Sequence, residues 1–379
     1  MKRETLLAQA GSRWDGRTGA VSMPVYHAAT FAHPALGQST GFDYSRSGNP
    51  TRQVLEETVA KLEGGARCCA FSSGMAAIDC LLRLFAPGDR IVVTEDLYGG
   101  TFRLFEKVYR PLGIEAVYVD TSRTDEVARA LEDSRVRAVF VETPTNPLLK
   151  IADIAAISAL CREKKILSII DNTFLTPYLQ RPFELGSDIT VYSGTKYLAG
   201  HNDVVAGFLV AKDPDIGERL YFHQNAAGAV LGPQDCWLLL RGLKTLPLRL
   251  ERQQDNALAI ARFLAGHRRV TRVFYPGLEG HEGHALQRRQ ADGWGAMISF
   301  EVDDPALVPE ILAGIEVFIF AESLGGVESL ITFPSVQTHA DIPVEVRERL
   351  GVNDRLLRMS VGVENVHDLI ADLAKVLGE

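Results

Sequence analysis

With 379 residues, 46% of them apolar and 23% charged, the chain has the balance of a globular protein with room for one large domain and a smaller one, which excludes disordered and collagen-like states. A formal net charge of -8 argues against a nucleic-acid-binding surface, which needs a basic excess. The cysteines Cys68, Cys69, Cys80, Cys161 and Cys236 are odd in number, lie in apolar surroundings and form no CxxC pair, so a reducing compartment is expected rather than a disulfide framework.

The first residues, Met1-Lys-Arg-Glu-Thr-Leu-Leu-Ala8, have no long apolar core and do not read as a secretory signal. No uncharged run of membrane-spanning length follows, and the expectation is a cytoplasmic protein. Residues 1–60 show little periodicity and read as an N-terminal arm, extended around Ser22 to Tyr26 and turning through Gly41 to Thr51. Such a stretch needs a function or a partner surface to cover it. Tyr44 and Arg46 offer it a phenol and a guanidinium suited to phosphate or carboxylate, or are simply surface residues.

Asn49-Pro50-Thr51 opens a helix whose apolar face is Val54, Leu55, Val59 and Leu62, and Gly64-Gly65 stops it. A buried strand, Cys68–Phe71, runs into Ser72-Ser73-Gly74-Met75, and helical spacing begins at once with Ala77, Ile78, Leu81, Leu82 and Phe85. Strand, small-residue turn and helix N-terminus make a natural anion site, although the same pattern also serves close packing. The alternation then repeats. Strands are expected at Arg90–Thr94, Glu115–Val119, Ala138–Val141, Leu167–Ile170, Ile189–Tyr192 and Gly207–Val210, with helices at Phe102–Leu112, Asp125–Leu131 and 152–164.

Strands without in–out polarity alternation point to a mostly parallel sheet covered on both faces, hence an α/β major domain over residues 61–245. Helices follow at Pro233–Leu243 and from about Arg249 to Ala265. Residues 246–379 then group strands (Val270–Tyr275, Met297–Val302, Val317–Phe320, Leu330–Phe333, Leu357–Val361) with few helices before a last one, Val366–Leu377, as in a smaller C-terminal α+β domain.

Ligands of such sheets bind beyond the carboxyl ends of the strands. The polar residues there are Ser73, Gly74, Tyr98, Asn146, Asp171, Ser193, Thr195 and Lys196. GxGxxG, GxxxxGK[ST] and GxSxG are all missing. His281 and His284 sit beside glycines and read as loop residues, and His201, next to the lysine turn, as a residue that packs or hydrogen-bonds. A lysine, an aspartate on a neighbouring strand, a hydroxyl-rich helix N-terminus and a tyrosine on a glycine turn together suit pyridoxal 5'-phosphate. Lys196 would bind it covalently, and Asp171 would pair with its pyridine nitrogen. Ser73, Gly74, Met75, Ser193 and Thr195 would hold the phosphate, with Thr173 beside Asp171 also in the cofactor set. Tyr98 would stack on the ring. Lys196, Tyr98 and Asp171 are the candidate catalytic groups.

Several motifs now carry a resemblance: Tyr44-Ser-Arg-Ser-Gly-Asn-Pro-Thr, Ser72-Ser-Gly-Met-Ala-Ala, Asp96-Leu-Tyr-Gly-Gly-Thr, Glu142-Thr-Pro-Thr-Asn-Pro, Asp171-Asn-Thr-Phe, Ser193-Gly-Thr-Lys-Tyr-Leu-Ala-Gly-His, Glu322-Ser-Leu-Gly-Gly-Val-Glu-Ser-Leu and Leu357-Arg-Met-Ser-Val-Gly-Val-Glu. In this order and over essentially the whole chain they resemble the Cys/Met-metabolism (trans-sulfuration) family of pyridoxal-phosphate enzymes. The resemblance implies an aminotransferase-like (fold type I) major domain. It also implies a homotetramer, a dimer of dimers in which Tyr44 and Arg46 reach the neighbouring subunit's cofactor. Arg358, with Ser323 and Asn146, would hold the substrate α-carboxylate, and Glu328 would read the distal amino group of cystathionine or serve as a structural carboxylate.

Within the family, Gly37–Asp43 and Phe320–Pro334 look most like bacterial cystathionine γ-synthases, and Gln337–Pro343 agrees. Gln234–Thr245 is shared with cystathionine β- and γ-lyases. Gly100 stands where methionine γ-lyases typically carry cysteine. The favoured expectation is γ-synthase. The alternatives are a β- or γ-lyase, then O-acetylhomoserine sulfhydrylase or methionine γ-lyase, and, as a different class, a non-catalytic pyridoxal-phosphate-binding protein.

Overall fold

A computed structural model of the chain describes residues 1–338 and 343–378, so residues 339–342 of the Gln337–Pro343 segment lie outside the described residues. The major sheet is built from β1 (Arg67–Phe71), β2 (Arg90–Thr94), β3 (Glu115–Val119), β4 (Val136–Glu142), β5 (Leu167–Asp171), β6 (Ile189–Ser193) and β7 (Gly207–Ala211), in the order β1-β7-β6-β5-β4-β2-β3. Strands β3, β2, β4, β5 and β6 pair in parallel, and β7 runs antiparallel to both its neighbours, β6 and β1. Every residue of β7 and nearly every residue of β2 and β4 is buried. That follows from helices covering both faces, and it explains why these strands read as unbroken apolar runs. The smaller sheet holds β8 (Val270–Phe274), β9 (Met297–Val302), β10 (Ile319–Phe320), β11 (Leu330–Thr332) and β12 (Leu356–Ser360), ordered β10-β11-β12-β9-β8 and antiparallel apart from the β10–β11 pair.

The helix after the arm spans Pro50–Glu63. Asn49 caps it by accepting from the N–H groups of Thr51 and Arg52, and Gly64 ends it at φ 78°, a left-handed conformation that costs glycine little. The helix buries Val54, Leu55, Val59 and Leu62 against β1 and the helix Pro233–Leu243. Position 60 therefore falls inside a helix that packs on the sheet, and we propose that the arm ends at Asn49. Position 246 is the first residue of the helix Leu246–Ala265, which starts earlier than its apolar spacing predicts because Pro247 is tolerated in a first turn.

Other departures have local causes. The expected helix Phe102–Leu112 begins at Gly99, passes through a π-helical turn at Phe105–Tyr109 and ends in a 3₁₀ turn at Arg110–Leu112. The strand expected from Val317 is cut to Ile319–Phe320. The N–H groups of Val317 and Phe318 donate to the Asp372 carboxylate at 2.9 Å instead of to a neighbouring strand. Helices at Arg3–Ala8, Pro214–Ala227, His284–Gln290, Leu307–Gly314 and Val344–Leu350 were not expected, so the C-terminal part is more helical than its sequence pattern implies. The five cysteines are buried free thiols. Among the described residues no helix is long and apolar enough to cross a membrane.

Candidate active site

The carboxyl ends of β1, β4, β5 and β6, the loop after β2, and the segments around Ser323 and Arg358 enclose a cavity of about 250 Å³. At the end of β1, Ser73 caps the helix Gly74–Leu82. Its Oγ accepts from Ala76 N at 3.0 Å and its carbonyl from Ala77 N at 3.1 Å. The N–H groups of Gly74 and Met75 in the first turn have no intrahelical acceptor and belong to residues lining the cavity, an arrangement that favours an anion. Strand β7 backs onto this turn so closely that a Cβ on Gly207 would lie 2.2 Å from the Ser73 carbonyl oxygen. Glycine is required there. Ser193, at the end of β6, packs against Gly74. The Thr195 hydroxyl exchanges hydrogen bonds with Ala206, accepting from its N–H at 3.0 Å and donating to its carbonyl at 3.2 Å, which ties the turn to the approach of β7.

Lys196 follows in the same turn, and its Nζ donates to Ser323 Oγ at 2.8 Å. Burial, aided by the charge of Arg358, lowers its pKa to about 8, while Glu322 works in the opposite direction. Asp171 ends β5, two strands along from β7. Its Oδ1 accepts from Thr173 N at 3.1 Å and Thr173 Oγ1 at 2.6 Å, and Thr173 Oγ1 accepts from Ser193 N at 2.8 Å. This chain of bonds fixes the carboxyl and leaves Oδ2 without a hydrogen-bond partner among the described residues. Burial raises the Asp171 pKa to about 6, a state that a cation at Oδ2 would reverse.

On the opposite wall, Arg358 in β12 is 2% exposed. Its Nη1 donates to Asn146 Oδ1 at 2.8 Å and its Nη2 to the Ser323 carbonyl at 3.2 Å, while its Nε has no partner. Burial lowers its pKa to about 10, so it stays charged at neutral pH. Ser323, held at φ 96°, thus meets both Lys196 and Arg358. Tyr98 is the N-cap of the helix Gly99–Leu104, and 42% of it is exposed.

Ser73, Gly74, Met75, Tyr98, Asn146, Asp171, Thr173, Ser193, Thr195, Lys196, Ser323 and Arg358 therefore all line one cavity. Three candidates do not line it. Tyr44 and Arg46 sit on the arm, with the Arg46 guanidinium 5.4 Å from the Tyr44 ring and its Nε donating to Asn225 Oδ1 at 3.4 Å. Glu328 is exposed and accepts from Asn202 Nδ2 at 2.7 Å. Glu322 is the carboxylate of that segment that lines the cavity. Sequence reasoning also passed over Glu142. Its one signal was a carboxyl closing an apolar strand in register with Asp171, and that register is visible only once β4 and β5 are paired.

His201 is exposed and hydrogen-bonds, with Nδ1 2.7 Å from the Ala199 carbonyl, and His284 stacks on Trp294. Among the described residues no group of three or more His, Cys, Asp or Glu could hold a metal. Pyridoxal phosphate fits what is present. A partly deprotonated amine, a carboxyl with a free oxygen and a helix N-terminus share one cavity with a buried guanidinium whose Nε is unsatisfied.

Residues 4–378 match the Cys/Met metabolism PLP-dependent enzymes as a family. The chain is 49% identical over 377 residues to a cystathionine gamma-lyase of Bacillus subtilis (strain 168), covering 100% of this chain and 99% of that protein. It is also 49% identical over 374 residues to a cystathionine beta-lyase of Lactococcus lactis subsp. cremoris (strain MG1363), covering 99% and 98%. The crystal structure of cystathionine gamma synthase from Xanthomonas oryzae pv. oryzae in complex with cystathionine superimposes with a TM-score of 0.98 at 43% identity, covering 100% of this chain and 98% of that one.

Proposed function

The chain belongs to the Cys/Met metabolism PLP-dependent enzymes, and we propose that it joins an O-acylhomoserine to cysteine, giving cystathionine by replacement at the γ-carbon. One observation carries the amino-acid chemistry. Lys196, Ser323 and Arg358 form a hydrogen-bonded row in the cavity that Asp171 also lines. The γ-synthase choice is supported by the Gly37–Asp43 and Phe320–Pro334 segments and by the full-length likeness to a γ-synthase structure.

Bound pyridoxal phosphate supplies an electron sink for negative charge at a substrate Cα. The protein does the rest. Lys196 would hold the cofactor covalently, and Asp171, oriented by Thr173, would balance positive charge at its pyridine nitrogen. The N–H groups of Gly74 and Met75, with the hydroxyls of Ser73 and Ser193, would hold the phosphate; the Thr195 hydroxyl would join them by giving up its bond to the Ala206 carbonyl, and Tyr98 would cover the ring. A substrate α-carboxylate takes the free Nε edge of Arg358, whose fork Asn146 and Ser323 hold in place. When not bound to the cofactor, the Lys196 amine would be the group placed to take the Cα proton, and burial, which lowers its pKa, favours the neutral amine that a base requires. Tyr98 is the hydroxyl available on the sulfur side, and Glu322 the carboxylate available to a distal ammonium, the role first considered for Glu328. We extend the reading to a homotetramer in which Tyr44 and Arg46, exposed here, complete the neighbouring subunit's phosphate site.

The relatives named as lyases favour a second reading, cleavage of cystathionine. The cofactor-loaded protein is given cysteine plus O-acetyl- or O-succinylhomoserine in one reaction and cystathionine alone in another. Cystathionine forming only in the first supports the synthase. Pyruvate with homocysteine from cystathionine alone identifies a β-lyase, and 2-oxobutyrate with cysteine a γ-lyase; either without acylhomoserine use overturns the synthase reading.

A further inference from the structure

Two buried acids are unused by the reading above, although both lie in motifs singled out in the sequence: Asp96, 1% exposed, and Glu142, 6% exposed, which lines the cavity. They bind reciprocally. Glu142 closes β4, and its Oε2 accepts from the backbone N–H of Tyr98, in the loop after β2, at 3.1 Å. Asp96, two residues before Tyr98, reaches the other way. Its Oδ2 accepts from Thr145 Oγ1 and from Leu148 N at 3.4 Å. Each loop therefore gives an acid to the other. Beneath them, Thr94 Oγ1 donates to Thr121 or accepts from it at 2.8 Å, and accepts from Glu142 N at 3.0 Å, which fixes where the Glu142 carboxyl starts.

We propose that Glu142 and Asp96 form a clasp of positioning residues that sets the Tyr98 loop and the Asn146 loop against each other, and so aligns the cofactor-ring tyrosine with the Asn146–Arg358 carboxylate fork. The inference rests on the roles given above to Tyr98 and Arg358. For Glu142 the chemistry agrees with a hydrogen-bonding rather than a charge-pairing role. Burial, and the neighbouring Asp171 and Asp96 carboxyls, hold Glu142 well above the usual carboxylate range, and burial raises Asp96 to about 6. A neutral acid has a close isostere in the amide, whose carbonyl still accepts an N–H.

The test compares Glu142→Ala, Glu142→Gln and Thr145→Val in the holoenzyme with wild type. The readouts are cofactor affinity after stripping and reloading, visible-region circular dichroism of the bound cofactor, and KM against kcat for whichever cystathionine-related substrate the wild type accepts. Leaving the Tyr98 N–H without its Glu142 acceptor in Glu142→Ala is expected to raise KM about tenfold and to weaken the visible dichroism, with Glu142→Gln within about threefold of wild type. Thr145→Val, which opens the clasp from the other side with an isosteric residue, is expected to move both readouts in the same direction. If Glu142→Ala does not fold, Thr145→Val decides alone. Wild-type KM and dichroism in the folded loss variants would overturn the clasp, as would Glu142→Gln being as impaired as Glu142→Ala. Failure of the functional reading shows separately, as a wild type that turns over none of these substrates, and the dichroism comparison then still tests the clasp.

Discussion

Arg358→Lys is the most informative single change. It keeps a positive charge in the cavity wall but removes the planar fork. In the wild type, Nη1 is committed to Asn146 at 2.8 Å and Nη2 to the Ser323 carbonyl at 3.2 Å, which leaves the Nε edge for a ligand. Hydrogen bonds to a charged partner contribute about 1.5–3 kcal/mol each, so a bidentate carboxylate gains roughly 3–6 kcal/mol from this edge. Lysine can recover about half of that as a point charge, and at 1.4 kcal/mol per tenfold the remaining loss is roughly 10- to 100-fold in KM. The assay is steady-state kinetics with the best amino-acid substrate, alongside the visible absorbance of the bound cofactor to show that the opposite wall is intact. The carboxylate assignment is refuted if KM stays within about threefold of wild type while the cofactor is fully bound.

Capture of pyridoxal phosphate by the stripped protein should depend on neutral Lys196. The rate is expected to rise with pH and level off above about 8; a rise continuing toward the pKa of an ordinary lysine contradicts the buried amine. Mixing inactive Lys196→Ala and Arg46→Ala subunits under exchange conditions should restore about a quarter of the activity, through hybrid sites with one intact lysine and one intact arginine. A mixture that stays inactive argues that Arg46 serves no neighbour. Asn49→Ala removes the acceptor of two helix N–H groups and the arm contacts to the Tyr26 carbonyl and Ser45, and should cost about 1–2 kcal/mol in denaturant unfolding. An unchanged midpoint would show that the cap contributes nothing.

What the sequence made legible was what is local. The strands of the major sheet announced themselves as short apolar runs, and their polar last residues pointed to one edge. Lys196, Asp171 and the Ser73 turn could be grouped from the chain alone, although their roles rest on the cavity and the family together. Arg358 could not. Its burial comes from β9 and β11 on either side of β12, so in sequence it is one charge in an apolar run. Arg52 and Arg249 are buried on helices for the same reason: Arg52 donates to the carbonyls of Ser45 and Arg46, and Arg249 to those of Tyr197 and Gly242, partners that lie outside their own helices or a turn away from them. The shortened strand at Ile319 and the clasp at Glu142 share one cause. A carboxylate distant in sequence takes backbone N–H groups that no local pattern reveals.

If cofactor and amino acid meet at the Ser193–Lys196 turn, borohydride reduction of the cofactor-loaded protein followed by peptide mass mapping places the pyridoxyl mass on the peptide containing Lys196 and on no other. A label on Lys150, Lys212 or Lys244, or no covalent label on a protein that still binds the cofactor, would contradict it.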